Sequence, residues 1–343
     1  MKPRIQGLEK YKTETTKARI RLSSNELYLD LPQEVREEVA KELAFAPLYK
    51  YPDPDAKELK SAIASWLKLP SEEYLTLGNG SDELINYLCA SLGTGTVSYP
   101  VPTFSMYEIC AKNNLRKTAP LRLDENFELM QAPPDDSDLI FIARPNNPTG
   151  NLFLKETITA LRARDRCIVI DEAYYPFCKE SMIDEALKSE DILVLRTLSK
   201  IGLAGLRVGI LIAPPEIIKL IDSVRLPFNV TMPSQIVAKI IISKYSYLID
   251  NAVEIAIKER ERIESYMKNM EGIKVFPSRA NFILFKVLVG AKALHKELLK
   301  RGVLVRDFSE NPYTPECLRV SVGRAVENDI FLEALDSSLR ELV

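Results

Sequence analysis

The sequence predicts an α/β protein: a large domain with a mostly parallel central sheet flanked by helices, followed by a smaller α+β domain. From about Asn79 short apolar runs alternate with amphipathic stretches, which is typical of strands and helices that build an α/β layer structure. After Pro233 the pattern changes to long charged helices. The length of 343 residues also favours two domains over one.

Five apolar runs are candidate strands of one sheet. Each is short and strongly apolar, as expected for strands that are buried on both faces. Helical patterns lie between them, so right-handed crossovers would place helices on both sides of the sheet. The runs are TVSYP near Val97, DLIFIARP near Phe141, RCIVIDEAY near Val169, DILVLRT near Val194 and RVGILIAPP near Ile210.

The expected boundaries divide the chain into three parts. Residues 1–48 are an N-terminal arm with one helix, LPQEVREEVAKELA, and we expect the arm to pack on the smaller domain or on a partner subunit. Residues 49–236 form the large domain. Residues 237–343 form the small domain, in which a strand-helix-strand-strand-helix order follows the long helices.

Charge and composition exclude several classes of function. With 46 basic and 48 acidic residues the net charge is -2, so the chain lacks the excess of positive charge that favours binding to nucleic acid or an anionic membrane surface. Five cysteines without a C-x-x-C pair, and a single histidine, disfavour zinc sites, disulfide frameworks and histidine-based triads. His295 is expected on a solvated helix face. The polar N-terminus does not resemble a signal peptide, so we expect a cytoplasmic protein.

The first of four segments expected at strand ends, where ligands of open α/β sheets bind, is GNGSDE, residues 78–83. This glycine turn opens into a helix and exposes backbone N–H groups that can bind phosphate. Most such turns are only helix caps, with Ser81 or Asp82 as the cap. Taken alone, this segment therefore favours a helix cap over a phosphate-binding site.

The second segment, RPNNPTG at residues 144–150, follows the candidate strand DLIFIA. Its prolines and glycine predict a rigid turn that points Asn147 into the cleft, where the amide can hydrogen-bond a ring hydroxylate. The alternative is a loop whose asparagines satisfy their own backbone. We favour the role of Asn147 in binding a ring hydroxylate, because a plain turn does not require two prolines.

The third segment, IVIDEAYYPF, places Asp171 at the end of an apolar strand. A buried carboxylate needs a cationic partner, and a protonated pyridine nitrogen is one. Tyr174 can reach a hydroxyl on the same ring. Asp171 as a helix cap is the alternative, and a metal-ligand role is weak without histidines or clustered carboxylates.

The fourth segment, RTLSKIGLAGLRVG at residues 196–209, places Lys200 after a buried strand among small and apolar residues. These surroundings disfavour the charged form of an amine and favour a Schiff-base nucleophile. Ser199 and Arg207 suit a phosphate, since the guanidinium can make a two-pronged contact. Most lysines are solvated, but few stand in this context.

The four segments and their order resemble those of the fold-type I pyridoxal-phosphate aminotransferases. The resemblance extends from Leu22 to the C-terminus. The resemblance implies a homodimeric transaminase with pyridoxal 5'-phosphate bound covalently by Lys200. Further motifs of that family occur in family order: SSNE at residues 23–26, YKYPDPDAKELKSAIA at 49–64, PTFSMY at 102–107 and CLRVSVGRAVEND at 317–329.

The resemblance also implies roles for individual residues. Asp171 faces the pyridine nitrogen, while Asn147 and Tyr174 face the ring hydroxyl. Phe104 stacks on the ring. The cofactor phosphate is implied to be held by the backbone of Ser81 and Asp82, by Ser199 and Arg207, and by Tyr51 from the second subunit.

For the substrate, the resemblance implies that Arg319 binds an α-carboxylate and that Arg306 meets a phosphate. It is closest to members that act on histidinol phosphate with 2-oxoglutarate, in histidine biosynthesis. Threonine-phosphate decarboxylation and aromatic amino acid transamination remain open on the same fold. A non-catalytic binding protein is a remote alternative, because fold alone does not determine function.

Overall fold

A computed structural model describes residues 16–342 and contains two β-sheets surrounded by helices. Residues 1–15 of the predicted arm, and Val343 of the predicted small domain, lie outside the described residues. Within residues 16–342 no helix combines the length and the apolar character that crossing a membrane requires.

The helices and strands follow one another along the whole of the described chain. The strands are β1 (Ile20–Leu22), β2 (Leu75–Asn79), β3 (Thr96–Val101), β4 (Thr118–Arg122), β5 (Ser137–Ala143), β6 (Cys167–Asp171), β7 (Ile192–Thr197), β8 (Val208–Ile212), β9 (Ile273–Val275), β10 (Phe282–Val287), β11 (Val303–Phe308) and β12 (Cys317–Ser321). The α-helices are α1 (Gln33–Ala44), α2 (Lys57–Leu67), α3 (Ser81–Ser91), α4 (Met106–Asn113), α5 (Lys155–Thr159), α6 (Tyr175–Cys178), α7 (Ile183–Ala186), α8 (Pro215–Val224), α9 (Met232–Met267), α10 (Ala291–Lys300) and α11 (Ala325–Leu342).

The larger sheet has seven strands in the order β2-β8-β7-β6-β5-β3-β4. The five predicted strands are confirmed as β3, β5, β6, β7 and β8, and the mostly parallel α/β class is confirmed with them. The prediction missed β2 and β4. The first is short and ends in Gly78 and Asn79, and the second is a largely exposed edge strand that contains Pro120, as edge strands tolerate.

Strand β8 is antiparallel to both of its neighbours, β7 and β2. The connection from β7 to β8 is too short for a crossover helix, which a parallel return would require. As a result β8 begins at the same edge of the sheet where β5, β6 and β7 end. This edge carries the site described below.

Both faces of the larger sheet are buried. In β5, Leu139 and Phe141 pack into one hydrophobic cluster with residues of α3 and α4, whereas Ile140 and Ile142 pack into the other cluster. Full burial of each such side chain contributes about 1.5–3 kcal/mol. One of the helical patterns between the predicted strands, KETITALRAR, is α-helical only over Lys155–Thr159.

The smaller sheet has the order β1-β11-β12-β10-β9. Strand β1 of the arm pairs with β11, so the arm packs on the smaller sheet, which is one of its two predicted positions. The predicted element order omitted the three-residue edge strand β9. Helix α9 runs through the predicted boundary at residue 236, and the three-part division stays a prediction.

His295 does not lie on a fully solvated face, contrary to the expectation. It is half-buried on α10, and its ring Nε2 lies 3.1 Å from the backbone oxygen of Val305 in β11. The packing of α10 against β11 accounts for this position.

Candidate active site

A cavity of about 740 Å³ lies between the edge of the larger sheet and strands β11 and β12 of the smaller one. It brings together all but one of the residues that the sequence singled out, from segments that lie more than 200 positions apart. These lining residues are Ser81, Asp82, Phe104, Asn147, Asp171, Tyr174, Ser199, Lys200, Arg207, Arg306 and Arg319.

The turn before α3 is held tightly against the start of β8. The Gly80 N–H donates to the Arg207 carbonyl at 2.8 Å, and Gly80 has a left-handed φ of 80°. A Cβ at Gly209 would collide with the backbone of Gly80 and Ser81, so this close approach requires glycine. The first N–H groups of α3 therefore face the cavity beside Arg207, at the positive end of the helix dipole.

Arg207 and Ser199 stand together at this end of the cavity. The Arg207 guanidinium donates to Ser199 Oγ at 3.2 Å and lies 3.4 Å from Asp82 Oδ2. The Arg207–Asp82 pair is nearly half exposed, so it contributes little stability and does not prevent Arg207 from binding an anion. Ser199 is itself placed by Thr197, whose Oγ1 accepts its backbone N–H at 3.1 Å.

Asp171 is buried at the end of β6. Its Oδ1 accepts the Ala173 N–H at 3.0 Å, and burial raises the pKa of the carboxyl to about 6. An ionised carboxylate at this depth is stabilised by a cation. The predicted role opposite a ring nitrogen suits this environment.

Tyr107 on α4 was missed by the sequence analysis. Its hydroxyl donates to Asp171 Oδ2 at 2.7 Å, and its ring stacks on Phe141 at 4.9 Å between centroids. Complete burial raises the pKa of Tyr107 well above its ordinary value, so the hydroxyl keeps its proton. Tyr107 ends the motif PTFSMY, but in the sequence it has the character of an ordinary core aromatic.

Lys200 lies in a short 3-10 helix, Leu198–Lys200, directly after β7. Its Nζ donates to the backbone oxygen of Ser24 in the arm at 3.1 Å and lies 5.9 Å from the centroid of the Tyr174 ring. The amine therefore faces the cavity between the larger sheet and the arm.

Asn147 and Tyr174 each bond to the other side of the cavity. Asn147 Oδ1 accepts from the guanidinium of Arg319, and the Tyr174 hydroxyl accepts from Asn25 Nδ2 at 2.9 Å. The prediction named Asn25 only as part of the motif SSNE. It is buried at a left-handed φ of 56°, which asparagine tolerates, and bonds to Ser321 through its backbone and its side chain.

Arg306 and Arg319 are direct partners in the antiparallel pair of β11 and β12. Their side chains therefore share one face of the sheet and both line the cavity. Arg319 is buried and donates to the Ser23 carbonyl at 2.9 Å. Both guanidinium groups belong to the lining of one cavity, so this wall suits an anionic substrate.

Tyr51 is the one predicted residue outside the cavity lining. It is 79% exposed and stacks on Phe228 at 4.6 Å between ring centroids. Other large apolar side chains close to Tyr51 or Phe228 in the sequence are also exposed, and exposed apolar patches mark protein interfaces. This aromatic patch comprises Phe45, Leu48, Tyr49, Tyr51, Leu226 and Phe228.

The cavity residues fit pyridoxal phosphate. Arg207, Ser199 and the start of α3 provide donors for a phosphate, and Asp171 provides a buried carboxylate for a protonated ring nitrogen. Lys200 provides an amine between them. Each group was predicted for this role, and the structure places each on the lining of the same cavity.

Comparison with known proteins gives consistent results. A family model described as aminotransferase class I and II matches residues 17–335. A histidinol-phosphate aminotransferase of Aquifex aeolicus (strain VF5) is 49% identical over 347 residues, covering 99% of this chain and 98% of that relative. The crystal structure of the histidinol-phosphate aminotransferase from Clostridium acetobutylicum matches with a TM-score of 0.84 at 26% identity, covering 94% of this chain and 99% of that one. The crystal structure of L-threonine-O-3-phosphate decarboxylase from Porphyromonas gingivalis matches with a TM-score of 0.82 over 94% of this chain and 99% of that one, and at 21% identity shows a shared fold alone.

Proposed function

The chain belongs to the class I and II aminotransferase family, and on that premise we propose that it transfers the amino group of L-histidinol phosphate to 2-oxoglutarate. The products would be imidazole-acetol phosphate and L-glutamate. The observation that carries the proposal is the pair of neighbouring arginines, Arg306 and Arg319, on the cavity wall across from Lys200. The name of the Aquifex aeolicus relative supports the same substrate.

Pyridoxal 5'-phosphate is the cofactor of this family, and the cavity residues fit it. When bound, it supplies an electron sink for the electron pair left when the substrate Cα loses its proton. We propose that Ser199, Arg207 and the first N–H groups of α3 bind its phosphate. Asp171 would keep the ring nitrogen protonated, and Tyr107 would orient the Asp171 carboxylate through the 2.7 Å hydrogen bond.

Lys200 has two tasks in this proposal. Its Nζ would hold the cofactor covalently, and as a free amine it would remove the proton from the substrate Cα. The neighbouring arm supports this second task, because the Ser24 carbonyl accepts a hydrogen bond from Nζ at 3.1 Å and keeps the amine directed into the cavity.

The arginines bind the anionic part of each substrate. L-Histidinol phosphate carries a phosphate and no carboxylate, so we propose that Arg306 and Arg319 both contact this phosphate. Glutamate would instead place its α-carboxylate on Arg319, which is held by Asn147 and Ser23 in an orientation suited to a two-pronged contact. This adds a contact with phosphate to the expectation that Arg319 binds an α-carboxylate.

A homodimer completes the proposed site. The aromatic patch carries Tyr51 on the surface, and we propose that a second copy of the chain covers the patch. The hydroxyl of the partner subunit's Tyr51 would then join the phosphate donors. Sedimentation of the purified protein tests the assembly, and a monomer at micromolar concentration would contradict it. The cytoplasmic location stays a prediction.

The activity is tested by a coupled assay with L-histidinol phosphate and 2-oxoglutarate. O-Phosphothreonine, with detection of carbon dioxide, and phenylalanine are tested in parallel. We expect the highest kcat/KM with L-histidinol phosphate and no carbon dioxide release. Higher activity with phenylalanine, or carbon dioxide release from O-phosphothreonine, would replace the proposal by an aromatic transaminase or a decarboxylase.

A further inference from the structure

The connection between β11 and β12, residues 309–316, closes one side of the substrate end of the cavity. It contributes Asn311 to the cavity lining beside Arg306. The same two residues also line a smaller adjoining cavity, so they are neighbours at the cavity wall. Glu310, which lines the same smaller cavity, forms an ion pair with Lys292 that partly balances its negative charge.

Asn311 is held in one orientation by its own loop. Its Oδ1 accepts the backbone N–H groups of Tyr313 at 2.9 Å and Thr314 at 3.2 Å. Because an N–H group can donate only to an acceptor, the end of the amide that faces these two groups must be the oxygen. The Nδ2 group is therefore the end that remains to face a ligand.

The loop around Asn311 is well anchored. The Asn311 N–H donates to the Phe308 carbonyl at 2.9 Å, and the Glu316 N–H donates to the Ser309 carbonyl at 3.1 Å. Thr314 is buried beneath the loop. A donor fixed in this way loses little entropy when it binds an anion.

We propose that Asn311 is a specificity-determining residue that recognises the phosphate of the amino donor through Nδ2. The inference rests on the proposed function. A phosphate monoester has three terminal oxygens arranged tetrahedrally, so one lies outside the plane that a guanidinium contacts. A carboxylate is planar and has no such oxygen. A donor beside Arg306 thus favours the phosphorylated amine over glutamate.

The test compares Asn311→Ser and Asn311→Asp with wild type and with Tyr313→Phe, a control in the same loop whose side chain lies outside the active-site cavity. Serine can still cap the turn but lacks Nδ2, and aspartate keeps the cap but repels phosphate. We expect Asn311→Ser to raise KM for L-histidinol phosphate about ten-fold and Asn311→Asp to raise it further. KM for glutamate should change less than about two-fold in Asn311→Ser.

Inorganic phosphate, as an inhibitor of the glutamate half-reaction, separates this inference from the proposed function. If wild type does not use L-histidinol phosphate but phosphate inhibits it more strongly than Asn311→Ser, the proposed function fails and the inference stands. The inference would be overturned if phosphate inhibited wild type and Asn311→Ser equally. It would also be overturned if the substitution raised KM equally for L-histidinol phosphate and glutamate.

Discussion

The two walls of the active-site cavity are built differently. One wall is formed by groups that stand within three residues of the end or the start of a strand in the larger sheet, where backbone and core packing place them. We call it the cofactor wall, and it comprises Ser81, Asp171, Ser199, Lys200 and Arg207. Short-range structure therefore positions most of the groups that would hold the cofactor.

The opposite wall depends on contacts between distant parts of the chain. Here the arm packs against β12, and the hydrogen bonds of Asn25 to Ser321 join residues 296 positions apart. We call this the substrate wall, and it comprises Asn25, Arg306, Asn311 and Arg319. A wall assembled in this way can change its side chains without disturbing the sheet that holds the cofactor, and on one fold this permits several substrates.

Hydrogen bonds connect the substrate wall to two residues that follow strands β5 and β6 on the other side of the cavity. Arg319 donates to Asn147, and Asn25 donates to Tyr174 at 2.9 Å. If the walls have separate tasks, substitutions in the cofactor wall should remove cofactor and activity together. Substitutions in the substrate wall should lower activity while the cofactor stays bound.

The largest effect is expected for Lys200→Ala. Without Nζ the chain would lack both the proposed covalent anchor and the proposed base for the substrate Cα proton, so turnover should fall below detection. The visible absorbance that wild type shows with its cofactor should also be lost. Unchanged transamination by the variant would refute the role proposed for Lys200.

The next effect is expected for Asp171→Asn. Removing the carboxylate proposed to face the ring nitrogen should lower kcat about 100-fold and weaken cofactor binding. The same substitution should alter the stability of the cofactor-free protein. In the wild-type protein without cofactor, the Asp171 carboxyl has a pKa of about 6 instead of the ordinary 3.8, because it is buried.

The direction of this stability effect follows from proton binding. Between pH 4 and 6 the unfolded chain loses the Asp171 proton while the folded chain keeps it, so wild type loses stability as pH rises. Over this window Asp171→Asn should gain up to about 3 kcal/mol in free energy of unfolding relative to wild type. Urea unfolding of the cofactor-free proteins across this range measures it, and a constant difference would contradict it.

Arg319→Lys tests the substrate wall. Lysine keeps the charge but not the two-pronged contact, so kcat/KM should fall about 30-fold for both glutamate and L-histidinol phosphate. The visible absorbance should stay that of wild type. Loss of the cofactor in this variant would show that the two walls do not have separate tasks.

The difference between the cofactor wall and the substrate wall also explains which site residues the sequence could predict. Asp171 and Lys200 follow apolar strands directly, so the strand pattern and the edge rule for α/β sheets locate them. Arg306 and Arg319 came only from family resemblance. The link between Asn25 and Ser321 and the fixed amide of Asn311 left no local signal, because long-range packing and loop hydrogen bonds create them. Tyr107 reads as an ordinary core aromatic until the fold places Asp171 beside it.

The smallest effect is expected for Tyr107→Phe, which tests whether the cofactor wall is tuned by a residue beneath it. Loss of the 2.7 Å hydrogen bond removes a contact that lowers the pKa of Asp171, so this pKa should rise above about 6. Cofactor affinity should then fall about five-fold near neutral pH, and its decline on acidification should begin at a higher pH. Absorbance titrations with pyridoxal phosphate over a pH series measure both. The matched control is Tyr99→Phe, which also removes a buried hydroxyl but lies outside the cavity lining. The titration of the cofactor's own phosphate affects both variants equally, so it cancels in the comparison. Identical pH profiles for the two variants would show that Tyr107 contributes only packing.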